Sequence, residues 1–99
     1  MFIRSQSLFL RPVWPEDHEV LHRMIGDAFD PGAVAGNSRQ PCFLITLPGK
    51  TGAEAIGVGG LQRRDGRLEA ECLIAPQFRN RGYDTEAISA LSQIAELLD

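Results

Sequence analysis

Two hydrophobic periods run along this chain, and the change from one to the other falls at a basic turn. Leu68, Ala70, Cys72 and Ile74 lie on one side of a period-two run and Glu69, Glu71 and Leu73 on the other, which predicts an edge or half-buried strand. Pro76 has no N–H to give to a ladder and ends it. From Gly82 onward the apolar residues Tyr83, Ala87, Ala90, Leu91, Ile94, Leu97 and Leu98 come at helical spacing. They predict one buried stripe, with Glu86, Ser89, Gln93 and Glu96 toward water. Between strand and helix, Arg79 and Arg81 flank Asn80 where the first helical N–H groups have no partners of their own. A strand, a basic turn and a helix start suit an anion such as a phosphate.

The remaining pattern predicts a strand, a helix and two more strands. Residues 8–10 make a short first strand that Arg11-Pro12 ends. A helix follows, with Pro15 in its first turn, Glu16, Asp17 and Glu19 complementing its positive end, and Val20, Leu21, Met24, Ile25, Ala28 and Phe29 as its buried face. Asp30-Pro31-Gly32 stops it, and residues 31–41 read as a loop. Residues 42–47 are almost continuously apolar, as a central strand should be. Residues 48–52 make a plain turn; its Gly-Lys-Thr lacks the earlier glycine of a phosphate-binding loop. Residues 55–63 form the next strand, and Asp65-Gly66 turns it into the strand ending at Ile74. Three consecutive strands with helices on either side in sequence predict an α+β fold. Its sheet is mainly antiparallel, of about four strands with two flanking helices, in the order β-α-β-β-β-α.

Composition narrows the class. Ninety-nine residues, 43% of them hydrophobic, suit a single domain over residues 1–99. A net charge of −3 argues against a nucleic-acid partner, which wants a strong positive field. Arg63, Arg64 and Arg67 cluster at the hairpin, where solvated charges are the ordinary interpretation. Cys42 and Cys72 sit in apolar runs without metal-ligand spacing and read as reduced core thiols of a cytoplasmic protein. His18 and His22 stand four apart on the first helix, but no third ligand is near them in sequence, so no metal is expected. No run approaches the length of a membrane span.

Phe78-Arg79-Asn80-Arg81-Gly82-Tyr83-Asp84 resembles the acyl-CoA-binding signature of the GCN5-related N-acetyltransferase (GNAT) family, Q/R-x-x-G-x-G/A. Arg79 stands first and Gly82 fourth; the sixth position holds Asp84, where the family prefers glycine or alanine. Residues 8–12 resemble the first strand of the ribosomal-protein-type branch, which acetylates protein N-termini and related amines, and residues 56–61 resemble its third strand. The resemblance covers most of the chain in order. It implies transfer of an acetyl group from acetyl-CoA to a primary amine on a small molecule or a protein N-terminus. It also implies a pantetheine arm along Leu73, Ile74 and Ala75, with the pyrophosphate on the turn of Arg79, Asn80, Arg81, Gly82, Tyr83 and Asp84.

Transfer to an amine needs a neutral nucleophile, close positioning and a proton acceptor. Glu69 and Glu71 share one strand face and are the candidate bases; the alternative for both is a solvated strand carboxylate. The resembling family continues beyond the point matching Asp99 with further strands and a helix. The expectation is therefore either a domain lacking those elements, with an open strand edge that recruits a second copy as a homodimer, or a fragment of a longer protein. The alternative function is a non-catalytic interaction or dimerisation module. It takes its support from Asp84, from Asn80 in a turn where the family favours glycine, and from that open edge.

Overall fold

The structure, a computed structural model, describes residues 2–26, 42–50 and 52–98. Its elements are β1 (Ile3–Arg4), β2 (Phe9–Pro12), a 3-10 turn (Pro15–Asp17) leading into α1 (His18–Ile25), β3 (Cys42–Gly49), β4 (Gly52–Arg64), β5 (Arg67–Ile74), a second 3-10 turn (Pro76–Phe78) and α2 (Tyr83–Leu98). The five strands lie in sequence order, β1-β2-β3-β4-β5, and every neighbouring pair is antiparallel. The α+β class with an antiparallel sheet and two helices is as expected.

The differences from the sequence reading have local causes. The sheet has five strands rather than about four because Ile3 and Arg4 pair with Leu10 and Phe9, a ladder too short to leave a period. Strand β2 continues through Arg11 and Pro12, with Pro12 opposite Phe43. Pro48 and Gly49 belong to β3 and pair with Ala53 and Gly52, so the turn is tighter than residues 48–52. The Asp-Gly hairpin forms as predicted: Asp65 and Gly66 take φ of 50° and 79°, and Arg64 faces Arg67 across the last register. Ala28, Phe29 and the loop at 31–41 lie outside the described residues.

Among the described residues, each face of the sheet carries one helix. Under α2, Leu10, Phe43, Ile45, Leu61, Leu68 and Ile74 meet Ala87, Ala90, Leu91 and Ala95. On the opposite face Leu21 of α1 packs on Leu44 and Val58, with Leu73 beside them. Ile56 joins the α2 side although Val58, two residues on, lies on the α1 side. A register shift between Ile45 and Thr46 opposite them breaks the alternation there. Three positions assigned to buried stripes are exposed instead: Val20 at 37%, Leu97 at 80% and Leu98 at 44%. Val20 sits at the margin of the α1 stripe, and Leu97 and Leu98 end α2, while Ala95 fills the core position beside them.

Two carboxylates tie the helices down. Asp17 is buried, accepts both guanidinium N–H groups of Arg11 at 2.8 and 2.9 Å, and accepts the Trp14 N–H at 2.8 Å. The Arg11 guanidinium also lies 4.1 Å from the Trp14 ring centroid. Glu86, assigned to water from its place on the helical wheel, is half-buried and accepts the Ser7 N–H at 2.7 Å and the Ser5 hydroxyl. It pins the start of α2 to the β1–β2 turn. Burial pushes the Glu86 carboxyl up, but the bonds from Ser5, Ser7 and Leu8 outweigh it and hold it below its ordinary value.

The Arg11 hydrogen bond, aided by the Trp14 N–H and against the cost of burial, holds Asp17 below the ordinary aspartate value of 3.8. A depressed folded value means that the stabilisation is complete above the unfolded value and is lost as pH falls through the folded one. Asp17→Asn is expected to cost about 1.5–3 kcal/mol at pH 7. Urea unfolding of both proteins from pH 7 downward should show the difference closing as pH falls below the ordinary aspartate range.

Candidate functional site

Strand β5 delivers the site, and Gly57 sets where the strand ends. Gly57 faces Ile74 in the ladder, and a Cβ there would lie 2.4 Å from the Leu73 carbonyl oxygen and 3.0 Å from the Ile74 Cα. Only a residue without a side chain allows the two backbones to come this close. The Ala75 N–H then donates to the Ile56 carbonyl at 2.8 Å. Pro76 opens the 3-10 turn, where its missing N–H costs nothing.

The chain reverses through two residues in the left-handed region, Asn80 at φ 65° and Gly82 at φ 82°. Asparagine and glycine are the residues that adopt it most cheaply. Arg79 folds back, and its Nε donates to the Ile74 carbonyl at 2.9 Å. Arg81 lies over the Phe78 ring, 5.7 Å from its centroid. The Glu86 N–H donates to the Gly82 carbonyl at 3.1 Å and begins the bonds of α2.

Between strand end and turn lies a cleft of about 250 Å³, walled by Cys72, Leu73 and Ile74 on one side and by Phe78, Arg79, Asn80 and Asp84 on the other. Five expected cofactor residues converge here: Leu73, Ile74, Arg79, Asn80 and Asp84. Ala75 is fully buried, Arg81 is turned onto Phe78, Tyr83 packs against the core, and Gly82 borders a separate groove with Thr85 and Glu86. Cys72 and Phe78 were not anticipated as lining. Cys72 was legible as the strand neighbour of Leu73, whereas Phe78 reaches the cleft only through the 3-10 turn.

The cleft combines opposite charges. Its lining holds one cation, Arg79, and one carboxylate, Asp84. The Cys72 thiol donates to the Asp84 carbonyl at 3.8 Å, and burial, then the Asp84 charge, push this thiol up. Burial, against a backbone hydrogen bond at Phe43, pushes Cys42 in β3 up to about 11. Both cysteines are free.

Glu69 and Glu71 do not line the cleft. By strand alternation they share the face of Leu73, on the α1 side, whereas Cys72 and Ile74 face α2. Both lie beside Arg64: Glu71 pairs with its Nη2, and the Glu69 carboxylate stands 3.8 Å from its Nε. Exposed pairs of this kind are worth at most about 1 kcal/mol. Along β5, Glu71 is the nearer to the cleft, opposite Gly60, while Glu69 is opposite Gln62.

Strand β5 is the last strand of the sheet, so among the described residues one side of its ladder has no strand beside it. An extended ligand can pair there with the main chain while its end rests in the cleft. No three His, Cys, Asp or Glu side chains come together as metal ligands among the described residues. No helix among them is long and apolar enough to cross a membrane.

Sheet and helices have counterparts in known proteins. The family model for the acetyltransferase (GNAT) domain matches residues 9–99, and the chain belongs to the GNAT acetyltransferase family. An acetyltransferase of the GNAT family from Bacillus anthracis superimposes with a TM-score of 0.74 at 22% identity, over 94% of this chain and 64% of that one. An acetyltransferase from Agrobacterium tumefaciens str. C58 superimposes with a TM-score of 0.72 at 24% identity, over 96% of this chain and 66% of that one. This chain thus spans just under two thirds of the length of either. No curated protein matches it.

The backbone geometry around the cleft is testable by stability alone. Gly57→Ala should cost about 1–3 kcal/mol, because β5 has to move off β4 to admit the methyl group. Gly82→Ala should cost about 1–2 kcal/mol through its positive φ, while Asn80→Gly should change stability by less than about 0.5 kcal/mol. Denaturant unfolding of the three variants checks this order.

Proposed function

We propose that the chain carries the acyl-donor site of an N-acetyltransferase that moves an acetyl group from acetyl-CoA to a primary amine. One observation carries this: in a GNAT chain, the cleft opens where the outer strand β5 meets the turn into α2. Acetyl-CoA is the acyl donor that GNAT domains use. Its pantetheine arm would run along the end of β5 at Leu73, Ile74 and Ala75, and its pyrophosphate would meet the turn of Arg79, Asn80, Arg81, Gly82, Tyr83 and Asp84 at the start of α2.

In the transfer, the amine lone pair attacks the thioester carbonyl carbon, the C–S bond breaks, and CoA leaves as a thiolate or thiol. The proton lost by the amine goes to a carboxylate, directly or through water. Glu69 and Glu71 are the proposed acceptors, with Glu71 favoured by its place along β5. The acceptor substrate is a primary amine on a small molecule or a protein N-terminus, as in the ribosomal-protein-type branch. The cytoplasm, which keeps thiols such as Cys42 and Cys72 reduced, is the proposed location.

A second reading, a non-catalytic module that pairs with a second copy through β5, is favoured by the outer position of that strand. Calorimetric titration with acetyl-CoA, with sedimentation in the same buffer, separates the two. Micromolar binding is expected; no heat up to millimolar ligand, together with a stable dimer, would replace the first reading by the second. In an acceptor screen, Glu71→Gln is expected to lower kcat about a hundredfold and to remove the acid limb of the pH profile.

A further inference from the structure

The cleft has no net formal charge where a diphosphate would call for a positive one. Of its lining residues only Arg79 is cationic, and Asp84 balances it. The Nε of Arg79 is already committed to the Ile74 carbonyl, and Arg81, the other cation of the turn, lies over the Phe78 ring. The Asp84 main chain also holds the Cys72 thiol in the opposite wall, so the start of α2 sits directly against the strand end. Asp84 is itself part of the lining, and its charge reaches the Cys72 thiol in the opposite wall.

We propose that Asp84 is a specificity-determining residue that selects acyl donors by charge, and that recognition rests on the neutral pantetheine thioester arm rather than on the nucleotide phosphates. This extends the substrate class to acyl-pantetheine thioesters that lack the nucleotide, and it rests on the acetyl-CoA reading above. The outer edge of β5 offers main-chain N–H and C=O groups to the amides of such an arm, and this pairing carries no charge requirement. The polyanionic end of acetyl-CoA meets a carboxylate at the start of α2, where the helix would otherwise attract it.

The test is calorimetric titration of the full chain with acetyl-CoA and, separately, with acetyl-pantetheine, at low and at high salt. The proteins are the wild type, Asp84→Asn and Asp84→Ser. Both replacements suit a first helical turn, and either alone suffices if the other fails to fold. The expected result is acetyl-CoA binding tightened about three- to tenfold at low salt in the variants, with acetyl-pantetheine unchanged. The gain should shrink as salt rises, which a purely structural effect would not do. Equal shifts for the two ligands, or none for either, would overturn the selector while leaving the acetyl-CoA site standing. Absence of binding of both ligands to all three proteins would instead overturn the proposed function itself.

Discussion

The close approach of β4 and β5 at Gly57 is the constraint on which the rest of the structure depends. With no side chain at that position, the Leu73 carbonyl and the Ile74 Cα occupy the space that a Cβ would take. The last residues of β5 can then stay on the sheet until Ala75 and leave it at Pro76. Gly59 does the same for the helix: a Cβ there would stand 3.0 Å from Leu91 Cδ1. Two bare positions on one strand thus bring both the strand end and α2 within reach of each other, and the cleft is the space left between them.

Around this centre the polar anchors act on the two helices separately. Asp17, through Arg11 and the Trp14 N–H, fixes the entry of α1 to the end of β2. Glu86, through Ser5 and the Ser7 N–H, fixes the start of α2 to the β1–β2 turn. Asp17 is buried and Glu86 half-buried, and the hydrogen bonds of each compensate its removal from water, the condition under which such groups stabilise a fold. The bond from Arg79 to Ile74 does the same for a carbonyl at the strand end. The turn is therefore held by its own side chains at the point where a ligand would meet it.

Alternation along β5 separates two kinds of chemistry. Cys72 and Ile74 look toward α2 and wall the cleft, while Glu69 and Glu71 look toward the α1 side and stand with Arg64. Leu73 shares the face of the glutamates, yet it also borders the cleft at the end of the strand. A thioester lying along that end would have the cleft on one side and the carboxylates on the other. On the proposed function, one strand would serve both the acyl donor and the proton acceptor, because successive side chains point to opposite faces.

By itself, the sequence determined what short-range chemistry controls. Period two marked β5, helical spacing marked α2, Asp65-Gly66 marked the hairpin, and Arg79, Asn80 and Gly82 marked the turn. These signals act over a few residues, so they survive without knowledge of the fold. What only the tertiary structure decided involves partners far apart in the chain. The β1 strand exists because Ile3 meets Leu10, and Glu86 is an anchor rather than a solvated charge because Ser5 and Ser7 reach it. Phe78 lines the cleft because the 3-10 turn carries it there, and the exposure of Val20, Leu97 and Leu98 follows from where the neighbouring elements stop. Periodicity tells which side of an element is apolar; which residues of that side are covered depends on the surface that packs against it.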